Sequence, residues 1–194
     1  VLANRALQIL GLGPGGCESV HPNDHVNRNQ STNDAYATAV RISCIRLNQT
    51  LIDAVKELAS AFSAKAESFA DIPKLGRTQL QDAVTIRLGD EFRAFADTLS
   101  EDVDRGREIA SLFLEINLGG TAVGSGLGAT PAYRDAVVSE LSAVTGLQLV
   151  RARNLYEASW DMGAFVLYSG FLKRLASKLS KICNDLRLLA SGPT

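Results

Sequence analysis

Residues 31–69 read STNDAYATAVRISCIRLNQTLIDAVKELASAFSAKAESF. Apolar residues recur there in steps of three and four: Val40, Cys44, Leu47, Leu51, Val55, Leu58, Phe62, Ala66 and Phe69. A strand would alternate every second residue, so this spacing predicts a bundle or coiled-coil helix. No proline or glycine interrupts the run. At 1.5 Å per residue the helix would reach roughly 55 Å.

The pattern repeats to either side. Pro73 and Gly76 break the chain, and GRTQLQDAVTIRLG (76–89) reads as a loop. A second long helix is expected from Leu88 to Ile116, with Leu88, Phe92, Phe95, Leu99 and Val103 on one face. The glycine-rich GGTAVGSGLG (119–128) follows. Thr130 then offers an N-cap and Pro131 a first helical position, for a shorter helix ending at Gly146. LQLV (147–150) could be extended or loop. A last long helix is expected from Asn154 to Ala190, with Leu172, Leu175, Leu179, Ile182, Leu186 and Leu189 inward. On the N-terminal side, VLANRALQILG reads as one or two amphipathic turns, and GLGPGG (11–16) as turn chemistry. The expectation is an all-α, long-helix bundle. Its stripes exceed what 194 residues can cover alone, which predicts partners, most economically other copies of the chain.

With 46% hydrophobic and 21% charged residues, the chain can bury a core, which excludes a disordered reading. A net charge of -1 with no basic stripe gives no footprint for nucleic acid. No run of about 18 apolar residues suggests a membrane span. Cys17, Cys44 and Cys183 are far apart and odd in number, so neither a disulfide framework nor a zinc site is expected, and a reducing cytosol fits. The sequence begins with Val1 and ends in ASGPT just past a helix, which reads as a fragment of a longer chain.

Hydrogen-bonding residues concentrate in HPNDHVNRNQSTND (21–34), which holds both histidines. Ser31, Thr32 and Asn33 precede the long helix. One cap needs one such residue. Three leave spare donors at the positive helix end, which suits a carboxylate or phosphate. Capping alone and ligand binding both stand on spacing. His21 and His25, four apart with Asp24 between, could pair on a metal, but Pro22 biases His21 out of the helical region and no further ligand cluster exists. Thr78, Gln79, Gln81 and Asp82 read as another capped helix start. The glycines of 119–128 follow a helix and are spaced unlike a dinucleotide loop. They fit a flexible connection or close backbone approach to a small ligand.

Four stretches, in order, resemble the aspartase/fumarase superfamily. HPNDHVNRNQSTND is similar to its first signature region, GRTQLQDAVTIRLGDEF to its second, NLGGTAVGSGL to its glycine loop, and SKICNDLRLLASGP to its long central helix. ANRALQILG, GRTQLQDAV and KICNDLRLL are closest to the aspartase branch; class II fumarases typically show GRTHTQDA and KIANDIR at the corresponding places. The resemblance implies the central domain of such an enzyme, residues 1–30 ending the N-terminal region and 31–194 forming the helical-bundle domain. It implies reversible elimination of ammonia from L-aspartate to give fumarate, without cofactor or metal, in the cytoplasm. The alternatives are a class II fumarate hydratase or an inactive helical scaffold.

The barrier in that reaction is the dianionic aci-carboxylate formed when the Cβ proton leaves, so the site must present preorganised donors. By resemblance Ser31 and Thr32 bind that carboxylate, Asn33 and Gln79 the amino group, and Thr78 the other carboxylate. A glutamine carbonyl accepts from an ammonium, whereas an imidazolium would repel it. His21, Asn23 and Asp24 match a second anion site. The family's GSSxMPxKxN loop, source of the serine base, is absent from this sequence, so the chain alone is expected to be inactive. Ala37 and Thr85 stand where relatives often have proline. The resemblance also implies a homotetramer around a twenty-helix core, with active sites shared between subunits and a small dicarboxylate as the ligand.

Overall fold

The computed structural model describes residues 1–16 and 18–192, so Cys17 lies outside the described residues. The elements in order are α1 (Leu2–Ile9), a π-helical turn (Pro22–Val26), α2 (Thr32–Ser68), β1 (Pro73–Thr78), β2 (Gln81–Arg87) and α3 (Leu88–Ser111). A 3-10 turn (Leu112–Leu114), β3 (Glu115–Ile116), α4 (Pro131–Thr145), β4 (Val150–Arg151), α5 (Leu155–Ala158) and α6 (Gly163–Leu189) complete the chain. The fold is helical, with two small two-stranded sheets. It divides into two compact units, Val1–Ser43 with Phe113–Asp161, and Cys44–Leu112 with Met162–Thr194.

In the second unit three long helices supply one core. Ile52, Val55, Ala59 and Phe62 of α2 meet Phe95, Ala96, Leu99 and Val103 of α3 and Phe171, Leu175 and Ile182 of α6. The expected inward faces of α3 and α6 are found, except that Leu172 is exposed. Small residues set the closest approaches. A Cβ on Gly89 would lie 2.5 Å from the Ala66 carbonyl oxygen, and one on Gly106 would lie 2.4 Å from Ile52 Cδ1. Asp102, fully buried on α3, faces Arg174 at 3.0 Å and Lys178 at 3.1 Å from α6. Both partners keep water contact, so the triad fixes helix register more than it adds stability.

The first unit is built around Ile116, Leu118 and Leu149, with Ala35, Ile42, Val137, Val138 and Leu141 packed against them. α4 starts and stops where its sequence says: the Thr130 hydroxyl oxygen accepts from Tyr133 N, Pro131 is the first residue, and Gly146 closes the helix at φ 68°.

Four expectations are corrected. α2 buries Asp34, Thr38, Arg41, Asn48, Ile52, Val55, Ala59, Phe62 and Ala66, a row that meets the expected apolar one at Val55, Phe62 and Ala66 but departs from it in the first half of the helix. Only its second half is apolar, and Leu47 stands 70% exposed. Residues 76–87 are not loop but most of an antiparallel hairpin, pairing Pro73 with Arg87 through Thr78 with Gln81. Its residues are largely exposed on both faces, so no alternation marks it. α3 stops at Ser111, and Ile116 lies in β3, paired in parallel with Arg151. The last helix is interrupted: Asn154 caps the short α5 through Tyr156 N and Glu157 N, and α6 begins only at Gly163.

Candidate active site

The long helix opens on a reciprocal cap. Ser31 Oγ accepts from Asn33 N at 3.2 Å, and Ser31 N donates to Asp34 Oδ1 at 2.9 Å. This is the Ser-x-x-acid arrangement of a capping box. The Ser31 oxygen is occupied as an acceptor, but its O–H remains a donor. Ser31 is half-buried, and Thr32 and Asn33 are exposed at the positive end of the 37-residue helix. Capping and ligand binding are therefore compatible at this end.

The glycine loop is not a flexible connection. Residues 117–121 are buried, and Gly120 O accepts from Gly124 N at 3.0 Å and Gly126 N at 2.8 Å. A Cβ on Gly124 would lie 2.5 Å from the Leu155 backbone, so the close approach this glycine permits is to the protein's own chain. The loop reaches the helix start through three side chains. Asp34 Oδ2 accepts from Gly119 N at 3.1 Å and Thr121 N at 2.8 Å. Asn33 Nδ2 donates to Ala122 O at 2.8 Å, and Asn117 Nδ2 donates to Asn33 O at 3.1 Å. Thr121 adopts φ 56°, a left-handed conformation costly for a β-branched residue. A further tie joins Thr130 N to Asn29 Oδ1 at 3.1 Å. The phenol of Tyr133, in the first turn of α4, is pushed above its usual range, first by burial and then by the charge of Asp34, with a Gln30 hydrogen bond pulling the other way.

Neither Asp34 nor Asn117 was singled out by the sequence. The spacing Ser31-x-x-Asp34 carried the local half of the signal; the partners at 117–121 lie too far along the chain to read.

His21 caps the π-helical turn, its Nδ1 accepting from Asn23 N at 3.3 Å and Asp24 N at 3.1 Å. His25 Nδ1 accepts from His21 N at 2.8 Å. Both Nδ1 atoms thus serve the same turn. Asn23 and Asp24 are exposed beside His21, with Asp24 Oδ2 3.1 Å from His21 Nδ1.

Thr78 and Gln79 belong to the second unit. Thr78 ends β1, and Gln79 and Leu80 form the two-residue hairpin turn at φ 50° and 64°. Two positive φ values define the type I′ turn, for which Asn-Gly is the usual sequence. The capped helix start expected at Thr78–Asp82 is absent; the turn presents Gln79, exposed, at its tip. A non-glycine pair in this conformation costs about 1–3 kcal/mol per residue, and such strain gathers at functional sites.

A family model described as a lyase matches residues 1–194. The chain belongs to the lyase family. The chain is 55% identical over 194 residues to an aspartate ammonia-lyase of Pseudomonas aeruginosa, covering 100% of this chain and 41% of that protein. It is 52% identical over 193 residues to an aspartate ammonia-lyase of Escherichia coli, covering 40% of it. Among solved structures it is similar to a fumarate lyase/delta crystallin of Brucella melitensis bound to cobalt, with a TM-score of 0.95, 55% identity, and coverage of 100% of this chain and 42% of that one. A class II fumarase of Schistosoma mansoni matches with a TM-score of 0.88 at 28% identity, over 100% of this chain and 44% of that one. The chain thus spans about two-fifths of the length of the relatives it matches. Among its described residues, no helix is long and apolar enough to cross a membrane.

Proposed function

We propose that this lyase is the central part of an aspartate ammonia-lyase, which removes ammonia from L-aspartate to give fumarate. The observation that carries this is the start of α2, where Ser31, Thr32 and Asn33 stand at a helix N-terminus that Asp34 and the glycine loop hold rigid. The relatives named aspartate ammonia-lyase, at over 50% identity along the whole chain, support the same reading.

In the reaction a base takes the Cβ proton, the Cβ electron pair forms the double bond, and the Cα–N bond breaks with its pair leaving on ammonia. The Cβ carboxylate carries the extra charge in between. Ser31 and Thr32 supply O–H and N–H donors to it, aided by the positive helix end, which favours a nearby anion by about 0.3–2 kcal/mol. Asn33 and Gln79 accept from the ammonium through amide oxygens, and Thr78 holds the other carboxylate. His21, with Asn23 and Asp24, forms a second anion site. The proton-accepting serine comes from outside these residues, no cofactor takes part, residues 31–194 form the central helical domain after residues 1–30 of the N-terminal region, and the enzyme works in the cytoplasm.

The enzyme is a homotetramer with active sites shared between subunits. Exposed apolar residues on two long helices, Leu47 and Leu58 of α2 and Val166, Leu167 and Leu172 of α6, support that assembly. The test is turnover by the complete protein, followed by fumarate absorbance. L-Aspartate should react and L-malate should not; malate turnover without aspartate turnover would assign a fumarase instead.

A further inference from the structure

We propose that Asp34 is a positioning residue: its buried carboxylate clamps the glycine loop to the start of α2 and so sets where Ser31, Thr32 and Asn33 meet the substrate. The proposal rests on the aspartate ammonia-lyase reading for what those three residues bind. The clamp itself is a matter of geometry.

Asp34 is fully buried, with none of its surface in water. A carboxylate in such a place must satisfy its lone pairs inside the protein. It does so with four backbone N–H groups. Oδ1 accepts from Ser31 N at 2.9 Å and Ala35 N at 2.7 Å, and Oδ2 from Gly119 N at 3.1 Å and Thr121 N at 2.8 Å. One oxygen therefore belongs to the helix start and the other to the loop. A cap alone needs only the first.

The loop pays back the contact at the neighbouring residue. Ala122 O takes the Asn33 amide N–H, which fixes that amide's orientation, and the Asn117 amide takes the Asn33 carbonyl. Asn33 is thereby held at side chain and backbone by residues 84 and 89 positions away. The strained φ of Thr121 presents its N–H to Asp34, and its hydroxyl closes on Gly120 O at 2.7 Å. Groups that must meet a developing charge lose rate steeply when displaced by an ångström.

The test uses the complete enzyme and two variants. Asp34→Asn turns one acceptor into a donor facing backbone N–H groups, and Asn117→Ala removes the hold on Asn33 O while leaving the Asp34 clamp in place. Loss of folded enzyme lowers the apparent kcat and leaves KM unchanged, so KM on assembled enzyme is the diagnostic readout. Asp34→Asn should raise KM for L-aspartate at least about 10-fold and lower kcat/KM on the order of 100-fold. Asn117→Ala should raise KM several-fold. Hydrogen exchange at Gly119 and Thr121 should accelerate at least about 10-fold in Asp34→Asn, with α3 unchanged.

An Asp34→Asn enzyme that assembles with KM within twofold of wild type, or with unchanged exchange at 119–121, overturns the clamp. Where Asp34→Asn fails to assemble, Asp34→Glu, which keeps the charge but moves both oxygens by one methylene, overturns the clamp if its KM and its exchange at Gly119 and Thr121 are those of wild type. A wild-type enzyme inert toward L-aspartate would instead sink the functional reading, while the exchange comparison would still decide the clamp.

Discussion

Gly106 of α3 faces the side chains of Ile52 from α2 and Phe171 from α6, and replacing it with alanine tests that core directly. A Cβ there would lie 2.4 Å from Ile52 Cδ1 and 2.8 Å from Phe171 Cζ, both on buried side chains. Ordinary contact begins near 3.5 Å, so α3 must shift or two packed side chains must leave their rotamers. Overpacking of this kind costs about 1–3 kcal/mol, and the short distances place Gly106→Ala near the upper end. Alanine is the better helix former by about 1 kcal/mol, which offsets part of that. The Asn48 amide, bonded to Gly106 O at 3.2 Å, would be disturbed as well. The expected net loss is about 2 kcal/mol. Ile52→Val deletes the nearer of the two clashing atoms at a cost of about 0.5–1.5 kcal/mol by itself. The double variant should therefore be less destabilised than the sum of the two singles by at least about 1 kcal/mol. Denaturant unfolding of the complete protein at one fixed concentration measures all three. Stabilisation by Gly106→Ala, as at an exposed helical site, or strictly additive effects would refute the packing argument.

Two other perturbations probe other parts of the chain. Tyr133 has its phenol pKa raised above 10.0 in the folded state, so the neutral form is the one the fold favours. Stability from it is fully present below pH 10 and declines as the pH rises toward the folded pKa, because only the unfolded chain ionises easily there. Tyr133→Phe should flatten this alkaline decline, and an identical decline in both proteins would refute the assignment. At the hairpin tip, Leu80 holds φ 64° while 76% exposed, so glycine loses little packing there. Relief of left-handed strain, about 1–2 kcal/mol, exceeds the chain entropy glycine adds, about 0.5–1 kcal/mol. Leu80→Gly should raise stability by roughly 0.5–1 kcal/mol in the same unfolding assay, and a loss would mean the turn is not strained.

What the sequence could tell about the fold depended on how local the cause was. α4 was legible to the residue because Thr130, Pro131 and Gly146 each act on their own backbone. The faces of α3 and α6 were legible because apolar periodicity and burial coincide there. α2 misled in its first half, where the apolar row runs through Leu47 while the row turned inward is Asp34, Thr38, Arg41 and Asn48; from Val55 on, through Phe62 and Ala66, the two coincide. Hydrophobicity cannot find a buried row whose first half is polar. The hairpin was missed for a related reason: Gln79-Leu80 replaces the glycine-bearing turn that would announce it, and both faces of its strands are largely exposed.

The candidate site divides in the same way. Ser31, Thr32 and Asn33 stood out because an excess of capping residues is a local anomaly, and the resemblance suggested a use for it. Asp34 stood beside them in the same four letters and was passed over, since its local role, a bond to Ser31 N, is what any acid three residues into a helix would do. Its other oxygen acts across 85 and 87 positions of chain. The residues proposed to touch a ligand announce themselves by type, whereas Asp34 looks ordinary until the loop it holds is seen. A substitution that spares Ser31, Thr32 and Asn33 but breaks the Asp34 bonds therefore changes the site without changing any residue expected to touch substrate.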